Sequence, residues 1–208
     1  PSHFLYDIFQ EHGFQNTRII PNSITLSEYP YTERSHFGPR LLWVRRFQER
    51  YNPMLAMLVY RELRQHYPEA EFCMVGPEKD GSLAECRAYA AEHGLPVKFT
   101  GKLSKRKWAE LSKGYDFFIN STNIDNTPIS VIEAMALGLP VVSTDVGGMP
   151  FLIKDGVDGI LVPEKNATAM VTAIRDLIED QGKAKRIAVE ANGKVQAFDW
   201  EVVKGEWI

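Results

Sequence analysis

An α/β fold with a doubly wound parallel sheet of six strands follows from two features of the chain. Apolar runs of strand length recur at 41–44 (LLWV), 71–75 (EFCMV), 97–100 (VKFT), 116–120 (DFFIN), 140–144 (PVVST) and 159–162 (GILV). Helical patterns at 53–66, 82–93, 105–113 and 128–137 fill most of the intervals, and another at 167–180 follows the last run. Strands that are apolar on both faces and alternate with helices make a parallel, Rossmann-like sheet covered on both sides, with short connections.

Ligands of such sheets bind at the carboxyl ends of the strands. Here those ends are Arg45-Arg46, Gly76-Pro77, Thr100-Gly101-Lys102, Asn120-Ser121-Thr122 and residues 144–148, each polar or glycine-rich. A receiver-like flavodoxin fold is another doubly wound sheet but needs an acidic cluster with a phosphorylatable Asp at the strand ends. The early strands end in Arg45 and Gly76 instead.

Composition bounds the function. The chain has 208 residues, 44% hydrophobic and 25% charged, which suits one sizeable core. A net charge of -3, with basic residues scattered apart from KLSKRK at 102–107, leaves no footprint for nucleic acid. No apolar run reaches membrane-spanning length and the start lacks the shape of a signal peptide, so a cytoplasmic protein is expected. Cys73 and Cys86 lack metal-ligand spacing and read as reduced structural thiols. Asn120 and Asn166 begin Asn-x-Thr glycosylation matches read as coincidental, the first ending a strand and the second capping a helix.

The most informative stretch is 125–150, DNTPISVIEAMALGLPVVSTDVGGMP. Thr127 reads as an N-cap and Pro128 as the first helical residue, with Gly138 ending that helix. The free amides of Ile129 and Ser130 then lie at the positive end of the helix dipole, where a phosphate is favoured. Asn126, Thr127 and Pro128 complete this expected anion site. Glu133 lies one turn beyond Ile129 on the same face, and Asp125 lies just before the cap. Two carboxylates beside an anion site suit a ligand with a ribose at one end and a hexose at the other, because a carboxylate accepts from adjacent hydroxyls. Gly147 and Gly148, lacking Cβ atoms, would let the backbone approach the sugar.

This stretch resembles the signature of the family-4 retaining glycosyltransferases, which have the GT-B fold and carry Glu, seven residues, Glu. Asp125 replaces the first Glu, as in a branch with DNTP at this place, and Glu133 matches the second. The family also carries Gly-Arg-Leu and then Lys-Gly after the first strand. In VRRFQERYNP, Arg46 matches the Arg, Arg45 replaces the Gly, and Arg50 is the candidate for the second cation. The resemblance implies that Arg46 and Arg50 hold the donor diphosphate, Glu133 binds ribose hydroxyls and Asp125 positions the sugar. It also implies that Thr100, Gly101 and Lys102 border the nucleobase, with Gly76 near the ligand. Guanidinium groups match phosphate geometry and stabilise a departing nucleoside diphosphate.

The resemblance covers nearly the whole chain but only the donor-binding, C-terminal half of a GT-B enzyme. Residues 1–30 read as a helix and a short strand and turn linking to a missing N-terminal acceptor domain; TRIIPNSITLSEYP resembles the family's IPNGID crossing, with Ser23 and Thr25 in place of Gly and Asp. Residues 31–181 form the donor domain and 182–208 the closing helices. The implied reaction is transfer of a hexose from a nucleoside diphosphate sugar, with UDP expected, retaining configuration, in polysaccharide, glycolipid or glycoconjugate synthesis. No other cofactor is expected. With no Asp-x-Asp in the chain and five dispersed histidines, metal-independent chemistry is expected. The fragment alone is expected to be inactive, and peripheral membrane association to arise only through the full-length enzyme. The alternatives are a non-catalytic nucleotide-sugar-binding module and a GT-B sugar-nucleotide epimerase, the latter lacking the EAMALGLPVV pattern.

Overall fold

The computed structural model describes residues 2–207. Six strands, β1 (Arg40–Val44), β2 (Glu71–Val75), β3 (Val97–Gly101), β4 (Phe117–Asn120), β5 (Val141–Thr144) and β6 (Ile160–Val162), form one sheet in the order β3-β2-β1-β4-β5-β6. Every pairing is parallel, as in Leu42 with Cys73 and Phe118 with Val141. The helices are α1 (His3–Glu11), α2 (Pro53–His66), α3 (Ser82–Glu92), α4 (Lys105–Ser112), α5 (Ile129–Ala136), α6 (Met149–Leu152), α7 (Ala167–Glu179), α8 (Gln181–Val195) and α9 (Trp200–Val203). None of the described helices is long and apolar enough to cross a membrane.

Alternate strand residues feed two cores. Leu41, Trp43, Phe117 and Ile119 pack with α2 and α7 on one face. Leu42, Cys73, Phe118 and Val141 pack with α5 and α8 on the other. This period of two on an all-buried sheet is why the strands read as unbroken apolar runs. Both thiols are free and buried.

Local chemistry sets the helix starts. Asn52 takes a left-handed conformation (φ 45°) that Asn tolerates, and its side chain accepts from Leu55 N at 3.1 Å while Pro53 opens α2. Asn166 caps α7 by accepting from Ala169 N at 2.9 Å. At α5 the expectation is corrected by one residue. Pro128, with φ -68° and ψ 120°, is itself the N-cap and the helix begins at Ile129; no side chain caps it, Thr127 included. Extended backbone at Pro128 keeps it outside the helix, while its carbonyl accepts from Val131 N at 3.1 Å and Ile132 N at 3.3 Å.

The chain termini pack on the sheet layers. No strand forms in 17–30; an isolated bridge joins Ile24 to Asp199 instead, followed by a short 3₁₀ turn, Leu26–Glu28. Ile24 N donates to Phe198 O at 2.9 Å and Trp200 N to Ile24 O at 2.8 Å, so this segment pairs with the C-terminal turns rather than with the sheet edge. Asn192 of α8 donates to Ala136 O at the end of α5.

Candidate functional site

Strand order reverses between β1 and β4, and in such sheets the crevice outside that switch point is the ligand site. The loops leaving β1 and β4 meet there. Arg45 ion-pairs with Asp125, each side chain being only 14% exposed. Its guanidinium lies 4.2 Å from the centroid of the Tyr51 ring, a cation–π contact. Burial pulls the Arg45 pKa down, because leaving water disfavours the charged form. Arg45 Nε is buried with no hydrogen-bond partner among the described residues.

Arg46 and Arg50 are both exposed, and neither forms an ion pair with a described residue. The backbone of Arg50 fixes the loop: its carbonyl accepts from Asn123 N at 2.9 Å and Thr122 Oγ1 at 3.2 Å. Trp43 Nε1 donates to Ser121 Oγ, which donates to Asn52 O at 2.8 Å. Thr144 Oγ1 donates to Thr122 O at 2.6 Å, tying the β5 exit to the β4 exit. The buried hydroxyls and amides at the strand ends therefore build the crevice wall.

The glycines pack against protein backbone. A Cβ on Gly147 (φ 54°) would stand 2.3 Å from Asp125 O, and one on Gly148 1.9 Å from Asn126 O. Gly148 N donates to Asp125 O at 2.9 Å. These glycines let the β5–α6 turn lie against the Asp125–Asn126 backbone and so hold that loop in place. Gly76 does the same between β1 and β2, where a Cβ would stand 1.7 Å from Arg45 O.

At the tip of α5, Ile129 is exposed and Ser130 is buried, its Oγ without a partner among the described residues. The preceding loop is covered by the N-terminal segment: Ser2 donates its hydroxyl to Asn126 Oδ1, and Asn22 Nδ2 donates to Thr127 O at 2.7 Å. Glu133 is buried and accepts from the Tyr29 hydroxyl. Burial pushes its carboxyl above the usual range, an effect that the Tyr29 bond only partly offsets. At the β3 end, Gly101 O accepts from Gly76 N at 3.0 Å and from Thr100 Oγ1 at 2.9 Å, while Lys102 stays exposed.

The arrangement thus brings Asp125, the α5 tip and the glycine turn together, with Glu133 set deeper. The sequence reading placed Arg45 at the end of the first strand without a role of its own, and gave none to Tyr51 or Tyr29. Strand alternation carried a signal for Arg45, which continues the side occupied by Trp43 and Phe47; nothing local marked Tyr29. Chemically, helix amides suit an anion and carboxylates suit hydroxyls.

A model of the family "Glycosyl transferases group 1" matches residues 34–194. The chain belongs to the glycosyl transferases group 1 family. A phosphatidyl-myo-inositol mannosyltransferase of Mycobacterium tuberculosis is 24% identical over 197 residues, 90% of this chain and 51% of that protein. The sulfoquinovosyl transferase SQD2 of Arabidopsis thaliana is 29% identical over 136 residues, 64% of this chain and 26% of that protein. This glycosyl transferases group 1 chain spans about half the length of the mycobacterial relative. Anabaena Alr3699/HepE, solved in complex with UDP and glucose, superimposes with a TM-score of 0.85 at 23% identity, over 99% of this chain and 60% of that one. Sucrose-phosphate synthase from Thermosynechococcus elongatus gives 0.82 at 24% identity, over 97% and 54%. These likenesses establish the fold as one half of a GT-B architecture.

Proposed function

We propose that this chain is the donor-binding domain of a metal-independent retaining hexosyltransferase, which transfers a hexose from a nucleoside diphosphate sugar to an acceptor. The observation that carries the reading is the α5 tip, whose N-terminus has no side-chain cap and which stands at the switch point of the sheet beside the Arg45–Asp125 pair. An uncapped helix start leaves free amides at the positive end of the helix dipole, which favours an anion. Arg46 and Arg50, both exposed, hold the diphosphate and stabilise it as it departs, and the Ile129 and Ser130 amides add positive potential. Glu133 binds the ribose hydroxyls and Asp125 lies at the sugar end, each acting by placement.

Uridine is the proposed base, in keeping with the UDP bound by the HepE neighbour; Thr100, Gly101 and Lys102 border it. Metal independence is supported by the lack of an Asp-x-Asp pair in the sequence. The acceptor domain belongs to the remainder of a longer protein, as the half-length match to relatives suggests, so the chain alone binds donor without turnover. The setting proposed is cytoplasmic, with membrane contact only through the whole enzyme.

Calorimetry of the chain with a panel of uridine and guanosine diphosphate sugars tests this. Binding that weakens at least about tenfold in both Arg46→Ala and Glu133→Ala is expected; unchanged affinity in both rejects the assignment. One observation favours a non-catalytic binding module as the second reading: both carboxylates already carry protein partners. Turnover by the two-domain protein, abolished by Arg46→Ala, decides for the enzyme.

A further inference from the structure

Asp125 is engaged by its neighbour and by Arg45. Oδ1 accepts from Asn126 N at 2.9 Å, and Oδ2 is paired with Arg45. Arg45 is in turn laid against Tyr51 at 4.2 Å, which fixes the plane of its guanidinium. Both side chains are thus engaged within the protein, and each keeps 14% exposure at the crevice. The two formal charges cancel in a place where water screens them poorly.

We infer that the Arg45–Asp125 pair forms a charge-neutral wall at the sugar end of the crevice and selects an uncharged hexose over a hexuronic acid, with Arg45 as the specificity-determining residue. The inference rests on the proposed reading that Asp125 lies at the sugar end. A neutral hydroxyl meets a pair whose charges cancel and disturbs neither partner. A sugar carboxylate meets a different surface. It must displace Asp125 from Arg45, leaving one of two acids unpaired, or remain beside Asp125 and be repelled.

The test is calorimetry of the chain with UDP-glucose and UDP-glucuronic acid, each variant being checked for cooperative melting. Wild type is expected to prefer UDP-glucose. Asp125→Asn leaves the Arg45 charge unopposed and shifts the ratio of affinities toward UDP-glucuronic acid by roughly tenfold. The double variant Arg45→Gln/Asp125→Asn, neutral again, shifts the ratio back toward UDP-glucose. Should Asp125→Asn fail to fold, Arg45→Gln carries the test in the opposite sense, lowering the relative affinity for UDP-glucuronic acid. A wild-type preference for UDP-glucuronic acid, or a ratio that no variant moves while both donors bind, overturns the inference and leaves the donor site standing. Failure of wild type to bind any nucleoside diphosphate sugar overturns the donor reading itself, and the inference falls with it.

Discussion

The Tyr29 hydroxyl donates to the Glu133 carboxylate, joining the segment before the sheet to the middle of α5. Tyr29 is 2% exposed and Glu133 6%, so neither polar group has water to fall back on. A contact that began as linker chemistry therefore sets the state of a proposed ribose ligand.

Tyr29→Phe removes the donor and strands the carboxylate, which should lower stability by about 1–3 kcal/mol in urea denaturation. A pH series adds a sign. Burial raises the Glu133 carboxyl in the folded state, so its contribution is fully present below the ordinary carboxylate range and is lost as pH rises through the raised folded value. Glu133→Gln removes that titration. Measured across roughly pH 4 to 8, the stability of wild type relative to Glu133→Gln should fall with rising pH; a flat difference refutes it.

Arg34 fastens two helix ends at once. Its Nε donates to Tyr115 O at 2.8 Å, its Nη1 to Leu137 O and Gly138 O at 3.1 and 2.8 Å, and its Nη2 to Ser112 O at 3.0 Å. These carbonyls lie at or just beyond the C-terminal ends of α4 and α5, where helices leave acceptors unpaired. Burial lowers the Arg34 pKa to about 10, which keeps it charged at neutral pH. Arg34→Ala should cost about 3 kcal/mol or more, because several buried acceptors lose a donor together. Arg34→Lys should recover less than half of that loss in the same melts, since a point charge cannot reproduce the planar fork.

Most of the sheet was legible because a strand buried on both faces must be apolar throughout, and α2 to α5 and α7 fall within a residue of their expected bounds at each end. The site was legible only in part. Asp125, Glu133 and the α5 tip share one contiguous stretch, where spacing carries three-dimensional meaning. Arg45 reaches Asp125 and Tyr29 reaches Glu133 by tertiary contact across distant sequence, and no local pattern encodes such a partner. The Gly-Gly turn was legible as a place of close approach, but its packing against the Asp125–Asn126 backbone depends on how the neighbouring loop runs.

That turn gives the sharpest contrast between glycines. Gly147→Ala places a methyl 2.3 Å from Asp125 O and must keep φ at 54°, while Gly148→Ala places one 1.9 Å from Asn126 O. Backbone atoms cannot retreat as a side-chain tip can, so the 125–128 loop has to shift and α5 loses its register against the crevice. Each substitution should destabilise by about 2–4 kcal/mol and reduce UDP-glucose affinity more than tenfold by calorimetry. Gly193→Ala is the control. It lies in α8, where an added Cβ would meet nothing within 4 Å and φ is not positive, so alanine relieves only the helix-propensity penalty of glycine. It should stabilise by about 0.5–1 kcal/mol and leave donor affinity unchanged. Equal effects at the three positions would mean that the turn does not hold the loop.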